Sequence, residues 1–135
     1  MKFKKLKEIS LAMAPKHPSD QRCRHFSFIL HKKRILSIGF NSIKTHPLNL
    51  KLNFVNKKND PINNVVGTHS ELSAVIKLGQ EECDGLVLVN TRVNRRNEID
   101  FSMPCSGCLS FIKPLNFKRV FFTNKHGDFE ELEIK

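Results

Sequence analysis

The sequence predicts an α/β fold in which helices cover both faces of a mixed sheet of about five strands, a three-layer α/β/α arrangement. Two observations carry this prediction. Segments with helical and strand-like periodicity alternate along the chain, and the apolar run "GLVLVNTRV" (85–93) is typical of a buried strand. The chain has 135 residues, 39% of them hydrophobic, so it suits one domain with one core spanning 1–135.

The N-terminal third predicts a helix followed by a β-hairpin. Apolar residues recur at spacings of three and four from Phe3 to Met13, which indicates an amphipathic helix that Pro15 and Pro18 end. The apolar runs 26–30 and 35–40 flank a polar turn, as in a hairpin.

A long loop and a second helix are expected next. The span 44–67 is rich in asparagine and lysine and contains prolines, which favours a loop, and long loops in compact domains often act as lids. The helix is expected to begin near Thr68 and to end at Gly79.

The C-terminal part predicts a third helix and two final strands. The helix is expected from Pro104, at its first position, to about Pro114. Strands should follow at 118–123 and 129–134. The link between them is too short for a parallel crossover, so these two strands should be antiparallel.

The composition limits the classes of protein. A net charge of +10 favours an anionic substrate or a polyanionic partner, although AT-rich coding would give a similar excess of lysine. No continuous apolar run follows the basic N-terminus, so neither a signal peptide nor a membrane span is expected. Four cysteines are too few for a secreted disulfide framework, so a cytoplasmic location is expected. Cys23 and Cys83 should be buried structural cysteines.

The stretch "SMPCSGC" (102–108) contains a Cys-x-x-Cys pair that several kinds of site use. A redox dithiol would suit such a pair, whereas a structural zinc site would need a second closely spaced ligand pair, which the sequence lacks. Upstream, "GTHSELSAV" places His69 and Glu71 at the start of a predicted helix. With Cys105 and Cys108, His69 would give zinc three protein ligands and leave a fourth position open, as in catalytic sites.

His-x-Glu followed by Pro-Cys-x-x-Cys is the signature of the zinc deaminases. From "RHFSFILHKKRILSIGFN" through "THSE" and "MPCSGC" to "KRVFFT", the chain resembles the cytidine deaminase superfamily over nearly its whole length. The resemblance implies that His69, Cys105 and Cys108 bind Zn²⁺ and that Glu71 is the catalytic acid and base.

The resemblance also implies three substrate contacts. Asn41 stands where the family commonly places an asparagine that binds the sugar hydroxyl, although an asparagine after a strand is also typical of a turn. The backbone N–H of Ser70 would contact the base carbonyl, and the backbone at Ser102 the leaving amine. Ser70 replaces the usual alanine of the family, and little consequence is expected.

The most favoured function is zinc-dependent hydrolysis of cytosine to uracil on a free (deoxy)cytidine nucleoside or nucleotide. Antiparallel final strands resemble those of the free-nucleoside deaminases, while the first half looks more like the deoxycytidylate deaminases. The alternatives are a deaminase editing cytosine, or less so adenine, in single-stranded DNA or RNA, and a non-catalytic zinc-stabilised module that binds nucleic acid. The resemblance is compatible with a homo-oligomer. Candidate phosphate-binding or nucleic-acid-binding residues are Lys44, His46, Lys51, Lys57, Lys58, Arg92, Arg95 and Arg96.

Overall fold

The computed structural model describes residues 3–17, 24–42, 69–79 and 83–134. These residues form helices and strands in the predicted order. The elements are α1 (Lys4–Met13), β1 (Arg24–His31), β2 (Arg34–Phe40), α2 (Ser70–Leu78), β3 (Val87–Val93), α3 (Ser106–Ile112), β4 (Arg119–Thr123) and β5 (Phe129–Leu132). Short 3-10 turns follow α1 at Ala14–Lys16 and α3 at Lys113–Leu115.

The sheet is mixed and five-stranded, in the order β2-β1-β3-β4-β5. β1 pairs antiparallel with both β2 and β3, and β3 and β4 are parallel, as expected when α3 provides the crossover between them. β4 and β5 are antiparallel. The prediction of a mixed sheet with antiparallel final strands is therefore confirmed.

Helices cover both faces of the sheet because side chains of a strand alternate between its two sides. Phe26 and Phe28 of β1 pack with Phe3 and Leu6 at the start of the chain, on the face that α1 covers. Ile29 of β1 packs instead in the second apolar cluster, with Ala74 and Val75 of α2 and Ile112 of α3. The three predicted layers are present, and α2 and α3 share one face.

Two predicted boundaries need correction. α3 begins at Ser106, with Pro104 outside it, because Cys105 is the N-cap and takes an extended conformation with ψ of 173°. β3 begins at Val87 rather than at Gly85, because Gly85 has a positive φ of 77° in the turn that precedes the strand.

The remaining predictions concern the end of α2, the two isolated cysteines and the proposed loop. Gly79 ends α2 in the left-handed conformation, as expected of a glycine C-cap, and Cys83 is buried. Cys23, Pro18, Thr68 and the proposed loop 44–67 lie outside the described residues. Within the described ranges, no helix has both the length and the apolar character needed to cross a membrane.

Candidate metal centre

His69 and Cys105 occupy equivalent positions at the starts of two neighbouring helices. His69 is the N-cap of α2 and Cys105 the N-cap of α3, and both have extended backbone, with ψ of 155° and 173°. Their carbonyl groups accept the first helical hydrogen bonds, from Ser73 at 3.0 Å and Leu109 at 2.9 Å. Each side chain is therefore fixed where its helix begins, on the face that α2 and α3 share.

The donor atoms of three residues converge at this point. His69 Nδ1 lies 3.1 Å from Cys108 Sγ and 3.4 Å from Cys105 Sγ, and the three atoms all lie within 4.8 Å of one another. In a tetrahedral zinc site with Zn–N of about 2.0 Å and Zn–S of about 2.3 Å, the N···S separation is about 3.5 Å. His69, Cys105 and Cys108 thus fit a metal ion, as the sequence predicts.

The three groups are electrostatically coupled. The hydrogen bond from the Cys108 side chain lowers the pKa of Cys105 to about 4, with a further contribution from His69. The same contact raises the pKa of Cys108 well above its ordinary value, together with burial and the nearby Glu71 carboxylate. The hydrogen bond to Cys105 raises the pKa of His69. A bound cation would favour the thiolate form of both cysteines.

Glu71 lies beside this group, in the first turn of α2, and is buried with 5% of its surface exposed. Its Oε2 accepts a hydrogen bond from Asn90 Nδ2 at 2.9 Å, and its Oε1 accepts one from Ser70 Oγ at 3.2 Å. Its carboxylate also contacts the thiol of Cys108. The residue predicted as the proton carrier is therefore in contact with a predicted metal ligand.

A chain of buried hydroxyl groups extends from Glu71 into the sheet. The Oγ atom of Ser27 on β1 lies 2.8 Å from Ser70 Oγ and 2.6 Å from Asn90 Oδ1. Ser70 in turn donates to Oε1 of Glu71. The network therefore links the carboxylate of Glu71 to buried side chains of β1 and β3.

Ser102 and Asn41, predicted to contact substrate, make defined contacts within the protein. Ser102 is buried, its Oγ donates to the carbonyl of Asn90 at 2.9 Å, and its own carbonyl accepts from Asn90 Nδ2 at 3.3 Å. Asn41 Oδ1 accepts from the backbone N–H of His25 at 2.9 Å, which fixes the chain after β2 to the start of β1.

The structure describes three of the candidate cations. Arg92 lies two residues after Asn90 on β3, so the two side chains are on the same face of the sheet, the face of the candidate metal centre. The guanidinium of Arg92 is 4.0 Å from the carboxylate of Asp100. Arg95 and Arg96 are exposed in the turn after β3. The other candidates lie outside the described residues: Lys44, His46, Lys51, Lys57 and Lys58.

Three residues near the site are not identified from the sequence: Ser27, Asn90 and His25. Ser27 and Asn90 are paired across β1 and β3, as are His25 and Arg92. Burial lowers the pKa of His25 to about 4, with smaller contributions from Arg92 and His69. The alternation of β1 and β3 would place these side chains on one face, but a polar residue in an apolar strand gives no indication of its partner.

The five-stranded mixed sheet with helices on both faces is a cytidine deaminase-like α/β fold. Two solved structures of the dCMP deaminase of cyanophage S-TIM5 share it. The apo form has 22% sequence identity to this chain. The match covers 91% of this chain and 86% of the cyanophage chain, with a TM-score of 0.51. The complex with dCMP and dUMP has 20% sequence identity to this chain. The match covers 92% of this chain and 85% of the cyanophage chain, with a TM-score of 0.54. Neither a protein-family model nor a curated protein matches the sequence.

Proposed function

We propose that this protein is a zinc-dependent deaminase that converts the cytosine of a free (deoxy)cytidine nucleotide to uracil, with dCMP as the first substrate to consider. One observation carries the proposal: a His-Cys-Cys donor group lies beside the carboxylate of Glu71. A structural metal site has no need of an adjacent buried carboxylate, whereas hydrolysis requires a group that moves protons.

The donor set suits zinc in a hydrolytic site. Zinc with three protein ligands supplies a Lewis acid and brings the pKa of water to about 7, so that hydrolysis proceeds at neutral pH. Cys105 is more exposed than Cys108, which is buried, so Cys105 lies on the solvent side of the centre.

Glu71 is the residue of this chain that moves protons. Its carboxylate takes a proton from the attacking water and delivers it to ring nitrogen N3, while the water oxygen bonds to the carbon that carries the amine. The second proton of water passes to the amine, which leaves as ammonia, and the carbon becomes the carbonyl of uracil. Ser70 and Asn90 hold the two oxygens of Glu71 during this exchange.

The nucleotide phosphate is the basis for preferring dCMP. The cyanophage enzyme of the same fold was solved with dCMP and dUMP. In this chain, Arg92 lies on the face of the metal centre and offers a planar guanidinium for a phosphate. By the family resemblance, Asn41 would bind the sugar and the backbone at Ser70 and Ser102 the base.

A direct assay tests the proposal. The zinc-loaded protein is incubated separately with dCMP, cytidine and a single-stranded oligonucleotide that contains cytosine and adenine, and mass spectrometry follows the gain of about 1 Da per deamination. Glu71→Gln is the matched control, since it retains the size of the side chain and removes the base. Conversion of dCMP by the wild type alone supports the proposal; equal results for wild type and variant contradict it.

A second candidate, deamination of cytosine in single-stranded nucleic acid, is favoured by one surface feature. Phe101 and Met103 are 41% and 40% exposed, and they lie in the segment that leads to Cys105. An exposed aromatic ring such as that of Phe101 can stack on a base, and a net charge of +10 suits a phosphate backbone. Reaction of the oligonucleotide but not of dCMP, with rates that fall steeply with salt, would select this candidate.

A further inference from the structure

Asn90 lies at the centre of the buried polar network, and its side-chain amide is held on both sides. It is 1% exposed, on the central strand β3. Nδ2 donates to Glu71 Oε2 at 2.9 Å and to the carbonyl of Ser102 at 3.3 Å, and Oδ1 accepts from Ser27 Oγ at 2.6 Å. One amide therefore connects β1, the start of α2 and the segment that leads into α3.

The partners of this amide determine its orientation. A carboxylate and a backbone carbonyl are both acceptors, so the nitrogen of Asn90 has to face Glu71 and Ser102, and the oxygen has to face Ser27. An aspartate would turn an acceptor toward another acceptor, and a leucine of similar size would offer no donor. Among residues of this size, an asparagine meets all three partners.

The position of Ser102 adds a second constraint. Ser102 precedes Cys105 in the same short segment, and its Oγ donates back to the carbonyl of Asn90 at 2.9 Å. Asn90 therefore ties the carboxylate on α2 to the segment that carries a predicted metal ligand. Rotation of Glu71 away from the centre would break the bond to Nδ2 and leave a buried donor unpaired, which is unfavourable.

We propose that Asn90 is a positioning residue that fixes the carboxylate of Glu71 beside the His-Cys-Cys group. The importance of this for catalysis rests on the proposed function, because it assumes that Glu71 moves the protons. Ser27 donates a hydrogen bond to Oδ1 of Asn90. A substitution at Ser27 should therefore also disturb the position of Glu71, but to a smaller extent.

The test compares Asn90→Leu with a matched control on the next residue of the strand. Thr91 is equally buried, but it faces α1, where its Oγ1 lies 2.6 Å from Ser10 Oγ. Thr91→Val removes one buried hydrogen bond from β3 on the opposite face of the sheet from Glu71.

The expected effects concern kcat and KM. In zinc-loaded protein with equal metal content, Asn90→Leu should lower kcat by about 10- to 100-fold, as for other groups that orient the residues of a metal site, and leave KM within about threefold. Thr91→Val should retain kcat within about twofold per folded molecule, although it too loses a buried hydrogen bond.

A double-mutant cycle tests the contact without any assay of activity. The urea midpoint is measured for Asn90→Leu, Glu71→Ala and the double variant, and for Thr91→Val in the same two backgrounds. Asn90→Leu should cost less stability once Glu71 is absent, whereas Thr91→Val should cost the same in both backgrounds.

The outcomes separate this inference from the proposed function. If the wild type deaminates no substrate, the proposed function fails, and the cycle alone decides: coupling supports the role of Asn90, and additivity overturns it. If the wild type is active, a wild-type kcat in Asn90→Leu overturns the inference. Should Asn90→Leu fail to fold, Ser27→Ala replaces it; a kcat reduced severalfold and coupling with Glu71→Ala support the role, and their absence overturns it.

Discussion

Gly39 of β2 lies directly against the first turns of α2, close to the backbone of Ser70. A Cβ atom at Gly39 would come within 2.8 Å of the Cα of Ala74, and it would meet the carbonyl oxygen of Ser70 and the amide nitrogen of Ala74 at still shorter range. All three atoms belong to the helix backbone, which has no rotamer by which to move away. The absence of a side chain at Gly39 therefore sets how closely the helix that carries His69 and Glu71 approaches the sheet.

Gly39→Ala is expected to displace α2 and thereby weaken both folding and the metal centre. Overpacking of this kind typically costs about 1–3 kcal/mol, and the displaced helix should also lower zinc affinity. Urea denaturation and zinc titration measure the two effects. Gly79→Ala is the control on the same helix: it strains the C-cap, where φ is 74°, but a Cβ there meets nothing within 4 Å. Gly79→Ala should lower stability and leave zinc affinity unchanged. If Gly39→Ala binds zinc as tightly as the wild type, α2 is not displaced and the prediction is wrong.

Metal binding should depend on Cys108 and not on Cys83. The wild type is expected to bind one zinc per chain and to lose thermal stability when a chelator removes it, because a ligand that binds the folded state stabilises it. Cys108→Ser should lose tight zinc binding. Cys83 is also buried, but it packs in the apolar cluster beneath α2 and α3. Cys83→Ala should lower stability by about 1–3 kcal/mol and retain the full zinc content in elemental analysis.

Stability should fall between pH 7 and pH 5 partly because of His25. Burial lowers the pKa of His25 from 6.5 to about 4, and Arg92, His69 and His17 act in the same direction while Cys105 opposes them. The unfolded chain binds a proton below 6.5 that the folded chain does not bind until about 4, so the stabilisation is complete above 6.5 and is lost as the pH falls. The contribution between pH 7 and pH 5 is about 2 kcal/mol.

Comparison with His25→Asn isolates this effect. Release of zinc at low pH affects both proteins, so the difference between their urea-derived free energies of unfolding reports on His25. The wild type should lose more stability than the variant over this interval. Parallel pH profiles would show that His25 is not buried in its neutral form.

Arg92 is expected to recognise the phosphate of the proposed substrate. Loss of one charge-assisted hydrogen bond should raise the KM for dCMP about tenfold in Arg92→Gln, while kcat and the constants for cytidine change little. Lys33→Gln, in the exposed turn between β1 and β2, should leave both substrates unaffected. An equal rise in KM for cytidine would indicate that Arg92 supports the site through Asp100 rather than through the phosphate.

Local patterns are sufficient to predict the order of the elements and the three residues that converge in the candidate metal centre. The period of the apolar residues distinguishes helices from strands, and the short link after β4 requires an antiparallel return to β5. His69, Cys105 and Cys108 can be predicted because few residue types bind zinc and their spacing is characteristic. These predictions need no knowledge of contacts between distant parts of the chain.

Contacts between distant strands are the part that sequence patterns do not contain. Asn90 interrupts an apolar strand and by itself looks like a weak strand residue. Its role appears only when β1 brings Ser27 beside it and α2 brings Glu71 above it. The hydrogen bond from Ser70 to Glu71 is a similar case, because the sequence alone does not show that Ser70 lies between Glu71 and the hydroxyl of Ser27.

The adjacent residues Asn90 and Thr91 also bear on how the strands align during folding. In the observed pairing, Asn90 lies opposite Ser27 and Thr91 lies opposite Phe26. A slip of β3 by one residue along β1 would exchange the two faces, so that Asn90 would enter the apolar layer under α1 and Thr91 would lie below Glu71. There its amide would lose the contacts to Glu71, Ser102 and Ser27 and would face the single hydroxyl of Ser10, and each buried polar group left unpaired would cost about 1–3 kcal/mol. The side chain that supports the carboxylate therefore also discriminates against misaligned sheets, and a substitution at Asn90 would weaken the selection of strand register as well as the site.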